Sequence, residues 1–281
     1  MSAYQSASEV ANQFIDVEGR RLAYRVIGDG KPMVLALRFR GTMDDWDPAF
    51  LDALAMQGFK VHIFDYSGLG LSTGQPSYDP ASLAKDIIDF IGAMELAKVV
   101  LGGWSIGGVA AQIAHLLAPG LLSHLVLIGT TPPGNLVMTS EPLFYQLAAR
   151  DNDFEDFVAL FFEPTSASSR EAAARSAARV DARIDGRCEP VPYEWAAQQL
   201  GDGPKNPMFP LPAALEALEN STIPVLHVGG DHDIVCPVEN WYVLNRILPT
   251  LHLVTYPSSG HAPQNQYPEA SATHIAAFIA G

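Results

Sequence analysis

With 281 residues, 48% of them hydrophobic, the chain is long enough for one α/β domain carrying an insertion, or for two ordinary domains, and rich enough in apolar side chains for a packed core. A formal charge of −14 argues against a nucleic-acid partner, because phosphate contacts need clustered Lys and Arg. Cys188 and Cys236 are too few and too far apart for a disulfide framework or a cysteine metal site.

Met1 to Ala11 has no signal-peptide pattern and no apolar run is long enough to span a bilayer, so a cytoplasmic protein that avoids membranes is expected. Gln13 to Val17 and Leu22 to Ile27 are strand-like runs around Glu18-Gly19, which predicts an antiparallel hairpin. Three continuous apolar runs follow, at Met33 to Leu37, Val61 to Phe64 and Val99 to Leu101. Such runs fit strands buried on both faces, as in a parallel sheet. Between them lie helical patterns: a short one from Phe50 to Met56, and Leu83, Ile87, Ile91 and Met94 at helix spacing. Three more strand runs come at Leu125 to Ile128, Val225 to Val228 and Leu253 to Tyr256. This alternation predicts an α/β sheet covered by helices on both faces.

Residues 132–218 break the alternation. The segment holds Phe144, Tyr145, Phe154, Phe157, Phe161 and Phe162, an alanine-rich stretch from Glu171 to Val180, and a proline-rich return from Pro190 to Pro212. It reads as a helical cap insertion over the carboxyl edge of the sheet, dividing the core into residues 1–131 and 219–281. The aromatic residues are expected mainly to form the insertion's own core, with some facing a ligand. Arg170, Arg175, Arg179, Arg183 and Arg187 step along one helix face and are expected to be solvated and paired with nearby acids.

Ser105 stands in Gly103-Trp104-Ser105-Ile106-Gly107, where an apolar strand gives way to a small-residue helix. A sharp strand-to-helix turn exposes a serine hydroxyl, and glycines two residues to either side let backbone segments approach. A nucleophilic serine needs a base and the base an orienting carboxylate. Of eight histidines, His62 and His227 lie within strand runs, whereas His261 sits in the turn-rich loop Ser258-Ser259-Gly260-His261-Ala262-Pro263 after the last strand. Loops on a rigid scaffold are where catalytic groups are displayed. The loop after the Val225 strand offers two acids, Asp231 and Asp233, around a histidine, His232, expected at the surface.

These stretches resemble the α/β-hydrolase fold superfamily, most closely its serine esterase and enol-lactonase-like members. The resemblance implies a mostly parallel eight-stranded sheet and the order nucleophile, acid, histidine. It favours Asp233, which stands four residues before Pro237 as the family acid does, and leaves Asp231 a turn residue. Asp65 to Ser72 is similar to the family's D-x-R-G-x-G-x-S loop, with Ser67 in place of the arginine. Matched by position, the oxyanion donors would be the backbone N–H groups of Arg40, in Arg38-Phe39-Arg40-Gly41-Thr42, and Ile106; Phe39 is the alternative first donor. The implied activity is hydrolysis of a small-molecule carboxylic ester or lactone through an acyl-enzyme, with no metal or organic cofactor, in a monomer or homodimer. Carbon–carbon bond hydrolysis, perhydrolysis, cofactor-free oxygenation, or a ligand receptor with a residual hydrolase site are the alternatives.

Overall fold

Eight strands form one sheet in the computed structural model, which describes residues 5–200 and 211–281. β1 (Gln13–Val17) and β2 (Arg20–Ile27) make the expected hairpin, and β2 pairs antiparallel with β4 (Phe59–Phe64). β3 (Lys31–Ala36), β5 (Val99–Trp104), β6 (Leu122–Ile128), β7 (Val225–Gly230) and β8 (Leu251–Tyr256) extend the sheet in parallel, in the order β1-β2-β4-β3-β5-β6-β7-β8. Every residue of β5 and β7 is buried, which is why their sequences run apolar without alternation. α1 (Pro48–Met56) packs with α11 (Pro268–Ala280) in one covering layer, and α2 (Pro80–Ala93) with α3 (Ile106–Leu117) in another. No helix among the described residues is long and apolar enough to cross a membrane.

Between β6 and β7 the described residues contain no strand. They form α4 (Pro142–Ala148), α5 (Phe154–Phe161), α6 (Ala167–Asp181), α7 (Tyr193–Gln198) and α8 (Pro212–Glu219). Pro204, Pro207 and Pro210 of the expected proline-rich return lie outside the described residues. Asp153 starts α5 with a capping box that includes Asp156. α8 lies inside the span read as the insertion, yet it buries Ala214 and Leu218 and packs against α3 of the core.

The arginine row is not one solvated stripe. Arg170 pairs with Glu155 and Arg175 with Glu171 at the surface, as expected. Arg179 instead reaches the fully buried Asp47, donating from Nε at 2.7 Å and Nη2 at 2.6 Å. Arg183 is buried; it lies 3.5 Å from Asp44, which also pairs with Arg25 at 2.7 Å, and it donates to Ser8 O and Val10 O. Helical spacing identified one face of α6 but could not show that its lower half meets the core. The contacts tie α6 and the residues after it to the segment entering α1, where Asp47 also accepts from Ala49 N–H as the helix cap.

His227 and His62 are core residues of β7 and β4, as their strand positions suggest. The His227 ring is fully buried and stacks on Trp241 with centroids 4.7 Å apart. Burial pushes its pKa from 6.5 down to about 3.

Two stability measurements follow from these contacts. Arg179→Met should cost about 3 kcal/mol in urea unfolding, because it strands a buried carboxylate without its counter-charge; a loss below about 1 kcal/mol would mean that the Ala49 and Ser176 donors suffice alone. His227 stays neutral in the folded state while the unfolded chain takes up a proton below its ordinary pKa, so stability drops as pH falls from 6.5 towards 3. His227→Leu should remove about 2 kcal/mol of the stability change between pH 7 and pH 5. An unchanged pH dependence in the variant would assign the acid limb to other groups.

Candidate active site

The carboxyl ends of β3, β5, β7 and β8 bring the predicted residues together. Ser105, directly after β5, has φ 58° and ψ −125°, a left-handed backbone rare for a side-chain-bearing residue. Its N–H donates to Ile128 O at 3.0 Å, and its carbonyl accepts from Gly108 N–H at 2.9 Å and Thr130 Oγ1 at 2.6 Å. The flanking glycines are sterically required. A Cβ on Gly103 would lie 2.3 Å from Gly107 O, and one on Gly107 would lie 2.4 Å from Ala36 O.

His261 and Asp233 are buried together. His261 Nδ1 donates to Asp233 Oδ2 at 2.8 Å, with Oδ1 at 3.0 Å. A proton on Nδ1 leaves the lone pair on Nε2. Asp233 Oδ1 also accepts from the peptide N–H groups of Val235 and Cys236 at 2.8 and 2.9 Å, fixing the carboxylate independently of the histidine. Asp231 forms a surface turn, accepting from Ser259 N–H at 3.2 Å and pairing with the half-exposed His232 at 2.6 Å.

Aromatic packing fixes the imidazole in ways the sequence did not reveal. Trp104 Nε1 donates to His261 O at 2.8 Å, and the Phe161 ring from α5 lies over the imidazole with centroids 6.1 Å apart. The Arg38 guanidinium covers Trp104 and Phe161 at 5.3 and 4.8 Å and donates to Asp45 Oδ1. No motif marks Trp104 or Phe161 as partners of His261. Only the placement of Trp104 beside Ser105 hinted at it.

Ile106 is the first residue of α3, so its N–H has no intrahelical acceptor. Arg40 differs from the expectation. Phe39 and Arg40 are the central residues of a turn closed by Gly41 N–H to Arg38 O at 3.1 Å, and Arg40 takes a left-handed φ of 56°. Its peptide N–H donates to Tyr78 Oη at 2.7 Å, so the donor assigned by position is already engaged. The Phe39 N–H has no protein acceptor among the described residues.

Ser105 and His261 open into a cavity of about 340 Å³, walled by the Arg38 to Asp45 loop on one side and by Phe144, Phe157 and Phe161 of α4 and α5 on the other. The expected division of aromatic roles therefore splits within one group: these three face the cavity, Phe162 is core, and Phe154 is exposed. Among the described residues, no group of three His, Cys, Asp or Glu side chains is placed to hold a metal ion.

Gly107→Ala should destabilise the protein by about 2 kcal/mol or more, since the obstacle is backbone that cannot rotate away. An unchanged thermal midpoint would show that β3 and α3 have more room than the contacts indicate.

A family model described as the alpha/beta hydrolase family matches residues 39–273. A Mycobacterium tuberculosis protein named as a non-heme bromoperoxidase is 25% identical over 271 residues, covering 92% of this chain and 97% of that protein. The pimeloyl-[acyl-carrier protein] methyl ester esterase of Nitrosomonas europaea is 25% identical over 261 residues, covering 86% and 93%. Among solved structures, an alpha/beta hydrolase fold protein from Chitinophaga pinensis superposes with a TM-score of 0.82 at 27% identity, covering 98% of this chain and 99% of that one. Sheet order, strand-to-helix turn and family match agree: this chain belongs to the alpha/beta hydrolase family.

Proposed function

We propose that the protein is a serine hydrolase that cleaves a carboxylic ester or lactone of a small molecule through an acyl-enzyme. The observation that carries this reading is the His261–Asp233 pair opening, together with Ser105, into one cavity. His261 Nε2 takes the Ser105 proton as Oγ attacks the carbonyl carbon, and Asp233 steadies the imidazolium that forms. The developing oxyanion is bound by the N–H groups of Ile106 and Phe39, each such donor being worth about 3 kcal/mol. His261 returns the proton to the leaving oxygen, then activates water to release the acid. The helices between β6 and β7 act as the cap that shapes the acyl or alcohol pocket, supported by Phe144, Phe157 and Phe161 on its walls. The esterase name of the Nitrosomonas relative favours the same chemistry.

Ser105→Ala should lower kcat on an activated ester such as p-nitrophenyl acetate by a factor of about 10⁶. The acid assignment has a sharper test. In Asp233→Asn the two peptide donors at Oδ1 hold the amide oxygen there, which leaves the NH2 group facing His261 Nδ1. The imidazole is then driven into the tautomer with its proton on Nε2, at a cost of about 10⁴ in kcat. Asp231→Asn should change kcat little. Steady-state kinetics of both folded variants decide the matter, and a larger loss at Asp231 would reverse the roles.

A further inference from the structure

The charges lining the cavity are not evenly matched. Arg38 is neutralised by Asp45, which also accepts from the Thr42 N–H. Asp44 is paired with Arg25 and Arg183, Arg187 lies 3.7 Å from Asp181, and Asp153 is occupied as the cap of α5, accepting from Asp156 N–H at 2.9 Å. Arg40 forms no ion pair among the described residues, although it is half-buried. Its contacts with the protein fall on one nitrogen. Nη1 donates to Ala148 O at 3.1 Å, Arg150 O at 2.8 Å and Asn152 Oδ1 at 3.4 Å, while the guanidinium lies over the Tyr193 ring at 5.9 Å.

That arrangement leaves the Nε and Nη2 edge without a protein acceptor among the described residues. This is the side of a guanidinium that grips a carboxylate with two parallel hydrogen bonds. Anchoring through Nη1 holds the fork in place before any ligand arrives, so little side-chain entropy remains to be lost. Burial, and to a lesser degree Arg38, disfavour the Arg40 cation, and the charges of Asp151 and Asp45 offset this only in part, so an anion on the free edge supplies the direct partner that the protein does not. Arg40 lines the same cavity as Ser105 and His261.

We propose that the Nε and Nη2 edge of Arg40 is an anion subsite of the cavity, and that the natural substrate is an ester bearing a carboxylate a few methylenes from the scissile carbonyl. The substrate half of this inference rests on the ester-hydrolase reading, whereas the anion subsite does not.

Methyl hydrogen adipate and dimethyl adipate differ in the charge at one end and provide matched probes. In the Ser105→Ala protein, calorimetric titration reads binding without turnover, and the monoester should bind about ten- to a hundredfold tighter than the diester. Arg40→Met in that background should bring the ratio to near unity, while Arg40→Lys, which keeps the charge but loses the fork, should retain part of it. A purely structural role for Arg40, as clamp on the end of α4, would weaken both ligands alike and leave the ratio unchanged. Equal affinity for the two esters with Arg40 intact overturns the subsite, and this result needs no variant at Arg40 to fold. Methanol release by the parent enzyme separates the two readings. Arg40-dependent binding without release would overturn ester hydrolysis and keep the subsite; release of both methyl esters at equal kcat/KM would do the opposite.

Discussion

The left-handed backbone at Ser105 is the constraint from which the rest of the site follows. Holding a serine at φ 58° costs on the order of 1–3 kcal/mol, and the sheet enforces it through the Ser105 N–H on β6 and the Ser105 carbonyl bonded to Thr130 and α3. The turn directs α3 so closely across the end of β3 that position 107 admits no Cβ. The same tight turn brings the first N–H of α3 beside the serine, where the positive end of the helix dipole favours a developing anion. The proposed nucleophile and one proposed oxyanion donor are therefore two products of a single backbone distortion, fixed by strand and helix.

A second level of order comes from buried charge. Asp47 with Arg179, and Asp44 with Arg25 and Arg183, lie between the core and the segments around α6. Apolar residues of similar volume could be as stable at such places, because removing charges from water costs nearly what their attraction returns. Ion pairs differ from apolar contacts in being directional. Each guanidinium accepts few geometries, so α6 is held in one position over α1 and α10 (Pro263–Gln266), with Arg179 also donating to Asn265 O at 3.3 Å. The cavity wall that includes Phe161 depends on that position, since α5 packs on α6.

Much of this was legible in the sequence because it is encoded locally. Eight strand runs, the glycine spacing around Ser105 and the loops carrying Asp233 and His261 are short-range patterns, and each lies where the pattern places it. Contacts between distant segments were not legible. Nothing near Arg179 shows that Asp47 waits for it, and periodicity along α6 marks a face without saying what that face meets. Tyr78 likewise carries no motif, yet its hydroxyl accepts the Arg40 N–H that matching by position assigned to the oxyanion. Matching by position cannot show the Arg38-to-Gly41 turn, which gives Arg40 its left-handed φ.

Two loops near the site show how contacts from distant segments fix local structure. Ser67 stands where the family loop has an arginine, and Arg20 of β2 binds there, donating from Nε to Ser67 Oγ at 2.7 Å and from Nη2 to Asp86 at 2.8 Å. In the Arg38-to-Gly41 turn, Phe39 packs its ring on Tyr78 with centroids 4.6 Å apart, and the Tyr78 hydroxyl accepts the next N–H. In each case a side chain from a distant segment holds the loop, a guanidinium in one and a phenol in the other. This turn has a cost and a use. The left-handed φ of 56° at Arg40 is strained by about 1–2 kcal/mol. The Arg40 side chain that it carries places a guanidinium on the wall of the cavity.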